Sequence, residues 1–229
     1  MKKFFTKIVL VILLGGCINK QENKLQKIMD DSSKVYIEQG DSCMREGGYE
    51  KAMEYFNRAI SLNPRYIPAY FERAQWYQLE GHAYQEAIKD YTTILTICPS
   101  DYHDEYKRNQ NSVFRDAYSL RGMLKKLYFQ DYIGAIEDYS KAIELGEDDY
   151  ADRASCKSYL EDYRGAIQDY SKAIELKPHA YNPDKSMWYN NRGLAKFRIG
   201  DKDGACLDWS KAGEFGGSYA FDNIKRYCN

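Results

Sequence analysis

Residues 134–145 of this 229-residue chain, Gly-Ala-Ile-Glu-Asp-Tyr-Ser-Lys-Ala-Ile-Glu-Leu, recur at 165–176 with a single change, Gln168 in place of Glu137. A near-exact internal copy restricts the fold to stacked units, each burying an apolar face that it cannot bury alone. Weaker copies mark three further units. Small residues stand at Ala52, Ala87, Ala135, Ala166 and Ala205, and each is followed four positions later by an aromatic: Phe56, Tyr91, Tyr139, Tyr170 and Trp209. A separation of four places both side chains on one face of a helix. Upstream of each copy lies a second helical stretch with its own small residue: Gly40, Ala74, Gly122, Ala154 and Gly193. Turn formers separate the two stretches at Gly47-Gly48, Gly81, Asp131, Asp162 and Gly200-Asp201. Each unit therefore reads as a helix-turn-helix hairpin in which a small residue lets an aromatic approach closely. Asp131, Asp162 and Asp201 are placed to cap second helices, and Pro64, Pro99 and Pro178 follow their ends.

Small residues, aromatics and a closing proline at these places resemble the tetratricopeptide repeat family, whose unit is about 34 residues. The resemblance covers residues 33–217 and implies an all-α, right-handed solenoid of five hairpins, about 33–66, 67–100, 113–147, 148–180 and 186–217. The marker alanines are 35, 48, 31 and 39 residues apart. Most of the largest excess lies in 100–115, which holds no Gly or Pro and reads as a lengthened first helix of the third repeat. Residues 179–186 carry Pro183 and read as a loop. Ala220, Phe221, Ile224 and Tyr227 are spaced as on a helix, so 218–229 is expected to cap the open end of the array.

The N-terminus is different in kind. Lys2, Lys3 and Lys7 precede seven apolar residues, Ile8 to Leu14, and then Gly15-Gly16-Cys17. Seven residues are far short of the roughly 20 that a spanning helix needs, and the pattern is that of a signal peptide over 1–16. Leu14-Gly15-Gly16-Cys17 resembles the bacterial lipobox, which implies cleavage before Cys17 and lipid attachment to its thiol. The plainer reading is a secretory signal with an incidental cysteine. Two or more acyl chains hold a protein stably where one does not. Ile18 is not the Asp that retains some lipoproteins at the inner membrane, so the resemblance implies the outer membrane. Residues 17–32 are then a polar tether, extended or helical, with a thin stripe of Leu25, Ile28 and Met29. Removing three lysines takes the formal charge from -1 to -4 (30 basic against 34 acidic residues). No basic stripe offers the counterion release on which nucleic-acid binding depends.

Little in the chain points to catalysis or to a cofactor. His82, His103 and His179 lie far apart with no zinc-ligand spacing, and no phosphate loop, Gly-x-Ser-x-Gly elbow or Cys-x-x-Cys pair occurs. Asp101, His103, Asp104 and Glu105 read as a solvated helix start rather than a cation site. Of the 22 tyrosines, Tyr49, Tyr70, Tyr91, Tyr132, Tyr139, Tyr163 and Tyr170 fall at repeat packing positions. Two classes of function remain: a scaffold for a protein or peptide partner, and a module that binds glycan or a small ligand on exposed tyrosines. Coplanar exposed rings favour the second.

Three sets of residues carry specific expectations. Arg73, Arg121, Arg153 and Arg192 precede the first-helix small residue, and Asp90, Asp138, Asp169 and Asp208 precede the second-helix aromatic, at separations of 17, 17, 16 and 16. The two longer separations accompany a turn one residue longer, as intra-repeat charge pairs require. Cys206 and Cys228 form either a disulfide that staples the capping helix or two buried thiols, while Cys43, Cys98 and Cys156 lack mates. The resemblance also implies a concave partner groove, carried over onto Ile37, Glu38, Asp41, Met44 and Arg45; Phe71, Glu72, Gln75 and Gln78; Leu120, Met123 and Lys126; Asp152, Ser155 and Tyr159; and Asn190, Asn191, Leu194, Phe197 and Arg198. Within it Phe71, Met123, Leu194 and Phe197 make an apolar anchor row, or else contacts between neighbouring repeats.

Overall fold

A computed structural model describes residues 20–80, 82–97, 110–146, 148–176 and 182–228. Among these residues every regular element is helical: α1 (Lys20–Arg45), α2 (Tyr49–Leu62), α3 (Ile67–Leu79), α4 (Tyr84–Thr96), α5 (Gln110–Leu124, continued by a π-helical turn over Lys125–Phe129), α6 (Tyr132–Glu144), α7 (Tyr150–Tyr159), α8 (Tyr163–Leu176), α9 (Asn182–Arg198), α10 (Lys202–Glu214) and α11 (Ser218–Tyr227). The all-α repeat fold implied by the sequence is the fold observed. The described helices divide between two compact units, one ending at Arg73 and the other running from Ala74.

In the first unit α1 and α2 close on Ile37, Ala52, Phe56 and Ala59, with Tyr66 and Ala69 completing the core. Gly40 is the point of closest approach: a Cβ there would lie 2.9 Å from Phe56 Cδ1 and closer still to Cε1. Polar contacts extend the pair toward its open end, where Ser33 Oγ donates to the Ala59 carbonyl and Asn63 Nδ2 donates to Asp30 Oδ1. The residues expected to form a tether, 17–32, are helical from Lys20 onward and continuous with α1. The physical reason is that 20–32 holds no Gly or Pro to end the helix, while Asp30 has a partner on the next helix.

In the second unit the same packing repeats. Ala135, Tyr139 and Cys156 form one core; Ala154, Ala166, Tyr170, Ala173, Trp188 and Ala195 form another. Asp131, Asp162 and Asp201 each accept the backbone N–H three residues on, at Gly134, Gly165 and Gly204. These bonds satisfy an orphan donor of α6, α8 and α10. The hairpin turns fall into two lengths. Gly48, Asp162 and Asp201 donate to carbonyls five residues back (Cys43, Lys157, Lys196), whereas Ala83 and Asp131 donate six residues back (Tyr77, Lys125). After α5 the extra residue is taken up by the π-helical turn, with Gln130 left-handed at φ 53°. An inserted residue inside a helix end widens one turn without disturbing the faces on either side.

Two further expectations meet the structure differently. The lengthened helix over 100–115 is helical from Gln110; 98–109 lies outside the described residues. The loop expected over 179–186 does not extend that far, because α9 starts at Asn182 and takes in Pro183 to Ser186. Pro183 stands in the first helical turn, where its missing N–H has no intrahelical partner to lose. Ser186, buried at 6%, donates its hydroxyl to the Ala212 carbonyl and fixes this start against α10.

Candidate partner-binding surface

Whatever partner surface the first helices present depends on how firmly they are held, and a charge network does that. Arg121, Arg153 and Arg192 each grip an aspartate on the second helix of their own hairpin with two bonds: Nε to Oδ2 at 2.9, 2.8 and 2.8 Å and Nη2 to Oδ1 at 2.5, 2.8 and 2.7 Å, for Asp138, Asp169 and Asp208 respectively. The carboxylates are 3–7% exposed and the guanidiniums 15–18%. The remaining nitrogen reaches back to the preceding hairpin, where Nη1 donates to Thr92, Ser140 and Ser171 at 3.0 Å. A tyrosine three residues earlier, Tyr118, Tyr150 or Tyr189, lies under each guanidinium at 5.2–5.7 Å. Arg73 and Asp90 fall in different units. Within its own unit Arg73 donates to Asn57 Oδ1 at 2.6 Å, and Asp90 is 4% exposed in the other.

One element of this network was not found by sequence reasoning. Lys125, Lys157 and Lys196 bring their ammonium groups to the same carboxylates, at 2.9, 2.7 and 2.9 Å. Each lysine is four residues after its arginine, so the recurrence Arg-x-x-x-Lys was the available signal. Four-residue spacing stacks the two cations on the face that meets the aspartate.

On the first-helix side of the second unit, Gln75, Leu120 and Met123 are half-buried, and Leu194 is 39% exposed. Lys126 on α5 meets Asp152 Oδ1 on α7 at 2.5 Å and so ties two successive first helices together. From beneath, the second-helix tyrosines reach the same side. Tyr91 donates to Gln78 Oε1 at 3.3 Å, and the Tyr170 hydroxyl lies within hydrogen-bond reach of Asn191, Ser155 and Ser158. Burial pushes the Tyr170 phenol up to about 12 and the neighbouring Cys156 thiol up to about 11, so both stay protonated at neutral pH. In the first unit, burial and then the charge of Asp41 raise the Glu72 carboxyl above its ordinary value, and burial raises Asp41 as well. Phe71 is half-buried there, while Ile37 is buried in the hairpin core and is withdrawn from the groove.

Several carried-over groove residues serve other contacts. Phe197 packs 5.9 Å from Trp209 and 4.5 Å from Tyr227, ring centre to ring centre. It stands four residues after Gly193 and therefore shares the face that meets α10, and α11 closes over it. Asn190 accepts Asn223 Nδ2 from α11 and, through its carbonyl, Trp209 Nε1. Both residues are therefore corrected from the groove to the cap contact. Arg198 is exposed beyond them. Tyr159 lies flat on Tyr132 at 4.6 Å, as Tyr128 does on Tyr84 at 3.5 Å. These rings are stacked in pairs, so each covers one face of the other. Tyr49, expected in packing, is 40% exposed.

The end of the array is covalently closed: Cys206 and Cys228 form a disulfide with α-carbons 5.8 Å apart. Cys156 is a buried free thiol and Cys43 a half-buried one; Cys98, like Cys17 and the segment 1–19, lies outside the described residues. His103 and His179 lie outside them too, and His82 rests beside Tyr84. Among the described residues no group of three His, Cys, Asp or Glu side chains could hold a metal ion, and no helix is long and apolar enough to cross a membrane.

The chain matches tetratricopeptide repeat models over residues 33–66 and 150–179. It is 36% identical to uncharacterized protein MJ0572 of Methanocaldococcus jannaschii over 81 residues, which are 34% of this chain and 93% of that one. The TPR repeat-containing protein MJ1428 of the same organism is 25% identical over 76% of this chain, and the match spans 30% of that relative's length. Among solved structures, MamA superposes with a TM-score of 0.66 at 18% identity, covering 86% of this chain and 96% of that one. YrrB, described as a TPR protein with an unusual peptide-binding site, superposes with a TM-score of 0.67 at 15% identity, covering 91% and 100%. At such identities these two likenesses concern the fold.

Proposed function

The chain belongs to the tetratricopeptide repeat family, and from that premise we propose that it is a non-catalytic scaffold of the bacterial cell envelope, anchored by lipid on Cys17 at the outer membrane. Its first-helix face receives a protein or peptide partner. The observation that carries the partner reading is the contrast among first-helix side chains. Arg121, Arg153 and Arg192 and the lysines four residues after them are held by buried aspartates, whereas Gln75, Leu120 and Met123 are half-buried and Leu194 more open, on helices that these contacts fix in place. A rigid face with adaptable apolar side chains and a polar rim suits a peptide or helix. Among the described residues the stacked tyrosines cover one face of each other, which leaves fewer open ring faces for a sugar.

Photo-crosslinking residues placed at Gln75, Met123 and Leu194, and in parallel at the exposed second-helix positions Glu137 and Gln168, test the face in intact cells. A common partner is captured from the first three positions and not from the last two, and Met123→Ala weakens its binding by more than about 1 kcal/mol. Capture from Glu137 and Gln168 alone would place the partner on the other side. For the anchor, the intact mass of the purified envelope protein begins at Cys17 and carries acyl groups there; an unmodified thiol or another N-terminus rules lipidation out.

A further inference from the structure

The first helix overruns the hairpin it belongs to. α2 ends at Leu62, and its C-cap residue Asn63 bonds to Asp30, so residues 20–29 extend past the end of their partner helix. At 1.5 Å per residue this is about 15 Å of helix without a hairpin mate. A helix this short is marginal in water on its own. Its apolar stripe continues along α1: Leu25, Ile28 and Val35 are 38%, 53% and 50% exposed. Their spacings of three and seven residues keep them on one face. That face is turned from α2, which is met by Ser33, Ile37 and Gly40, all buried. Lys24 and Lys27 are exposed on its flank. Residues 20–29 hold three lysines and one glutamate, a local charge of +2 in a chain of formal charge -1.

We infer that this face of α1 seats in the headgroup boundary of a lipid bilayer, with Leu25, Ile28 and Val35 inward and Lys24 and Lys27 at the lipid phosphates. The inference deepens the lipid-anchor reading and rests on it for its setting, because α1 begins three residues after Cys17. Three residues of chain span at most about 11 Å, so acyl chains on Cys17 bring this helix to the membrane surface. Apolar residues on one face and lysines beside them are the composition of an interfacial helix. Long lysine stems can cover apolar surface while their ammonium groups meet anionic lipid. The positive charge belongs to residues 20–29 alone, and Asp31, exposed four residues after Lys27, ends the lysine flank. A coiled coil with a second copy is disfavoured by the stripe itself. Ser32 interrupts it, and three apolar residues fall short of the three or four heptads that such pairing needs.

The test uses residues 17–229 with Cys17→Ser, which keeps every described residue and removes the acyl group. This chain is sedimented with vesicles of phosphatidylethanolamine containing phosphatidylglycerol. It binds, binding weakens as salt is raised, and Leu25→Ser with Ile28→Ser lowers the partition coefficient about tenfold or more. Glu54→Ser, on the exposed side of α2, leaves partition unchanged. Unchanged helicity and melting temperature show that the variants remain folded. Absence of vesicle binding by the parent, equal binding by the double variant, or a dimer of the parent that the double variant loses would each overturn the inference. Because no acyl group is present, these outcomes are independent of whether Cys17 is lipidated, which the intact mass decides separately.

Discussion

Replacing Arg153 by methionine lowers the free energy of unfolding by about 3 kcal/mol, the lower end of what breaking a buried ion pair costs. The loss has three parts. Two charge-assisted bonds to Asp169 disappear, the bond to Ser140 of the preceding hairpin goes with them, and Asp169, 7% exposed in the parent, is left with Lys157 as its remaining cation. Because Lys157 stays, the cost falls short of that for a fully orphaned carboxylate. Removing both charges, Arg153→Met with Asp169→Leu, restores part of the stability, since no carboxylate then remains buried. Urea unfolding followed by helicity measures the energies, and hydrogen exchange locates them: amides of α6, α7 and α8 lose protection while α1 and α2 keep theirs. A single-variant loss below about 1 kcal/mol would reduce the network to the level of exposed ion pairs.

Loss of the disulfide has an effect of similar size but in a different place. With a sequence separation of 22 residues, loop-closure entropy assigns the Cys206–Cys228 bond about 3 kcal/mol. In Cys206→Ser with Cys228→Ser this loss falls on α11. That helix buries only Ala220 fully and otherwise holds on through Ile224, Tyr227 and the Asn223–Asn190 bond. Its amides exchange faster by at least tenfold, and Trp209 and Phe197, which α11 covers, become accessible while the other hairpins are unaffected. Unaltered protection of α11 in the double variant, or after reduction of the parent, would show that packing alone holds the cap.

The groove shows how far position-by-position carry-over from a repeat pattern reaches. Leu194 and Phe197 look equivalent in sequence, three residues apart on one first helix of the last repeat. In the structure Leu194 is 39% exposed and Phe197 is enclosed by Trp209 and Tyr227. In the last hairpin the following helix is α11, so Phe197 meets the cap, just as Lys126, also four residues after a small residue, meets Asp152 of the first helix that follows it. Asn190 changes role for the same reason.

Periodicity in the sequence was enough to establish the hairpins, their small-to-aromatic contacts and three of the four expected arginine–aspartate pairs, because these depend on residues a few turns apart whose geometry a helix imposes. The 17-residue separation of Arg121 from Asp138 even announced one extra residue between the helices. Where that residue goes was a tertiary matter. Asp131 must cap α6 and Arg121 must reach Asp138, and with both ends pinned the helix end widens into a π-turn over Lys125–Phe129. Likewise the lysines at 125, 157 and 196 could be read as surface charges. Only the folded hairpin, with each carboxylate out of water and one guanidinium already beside it, shows that they are drawn inward to the same oxygen pair.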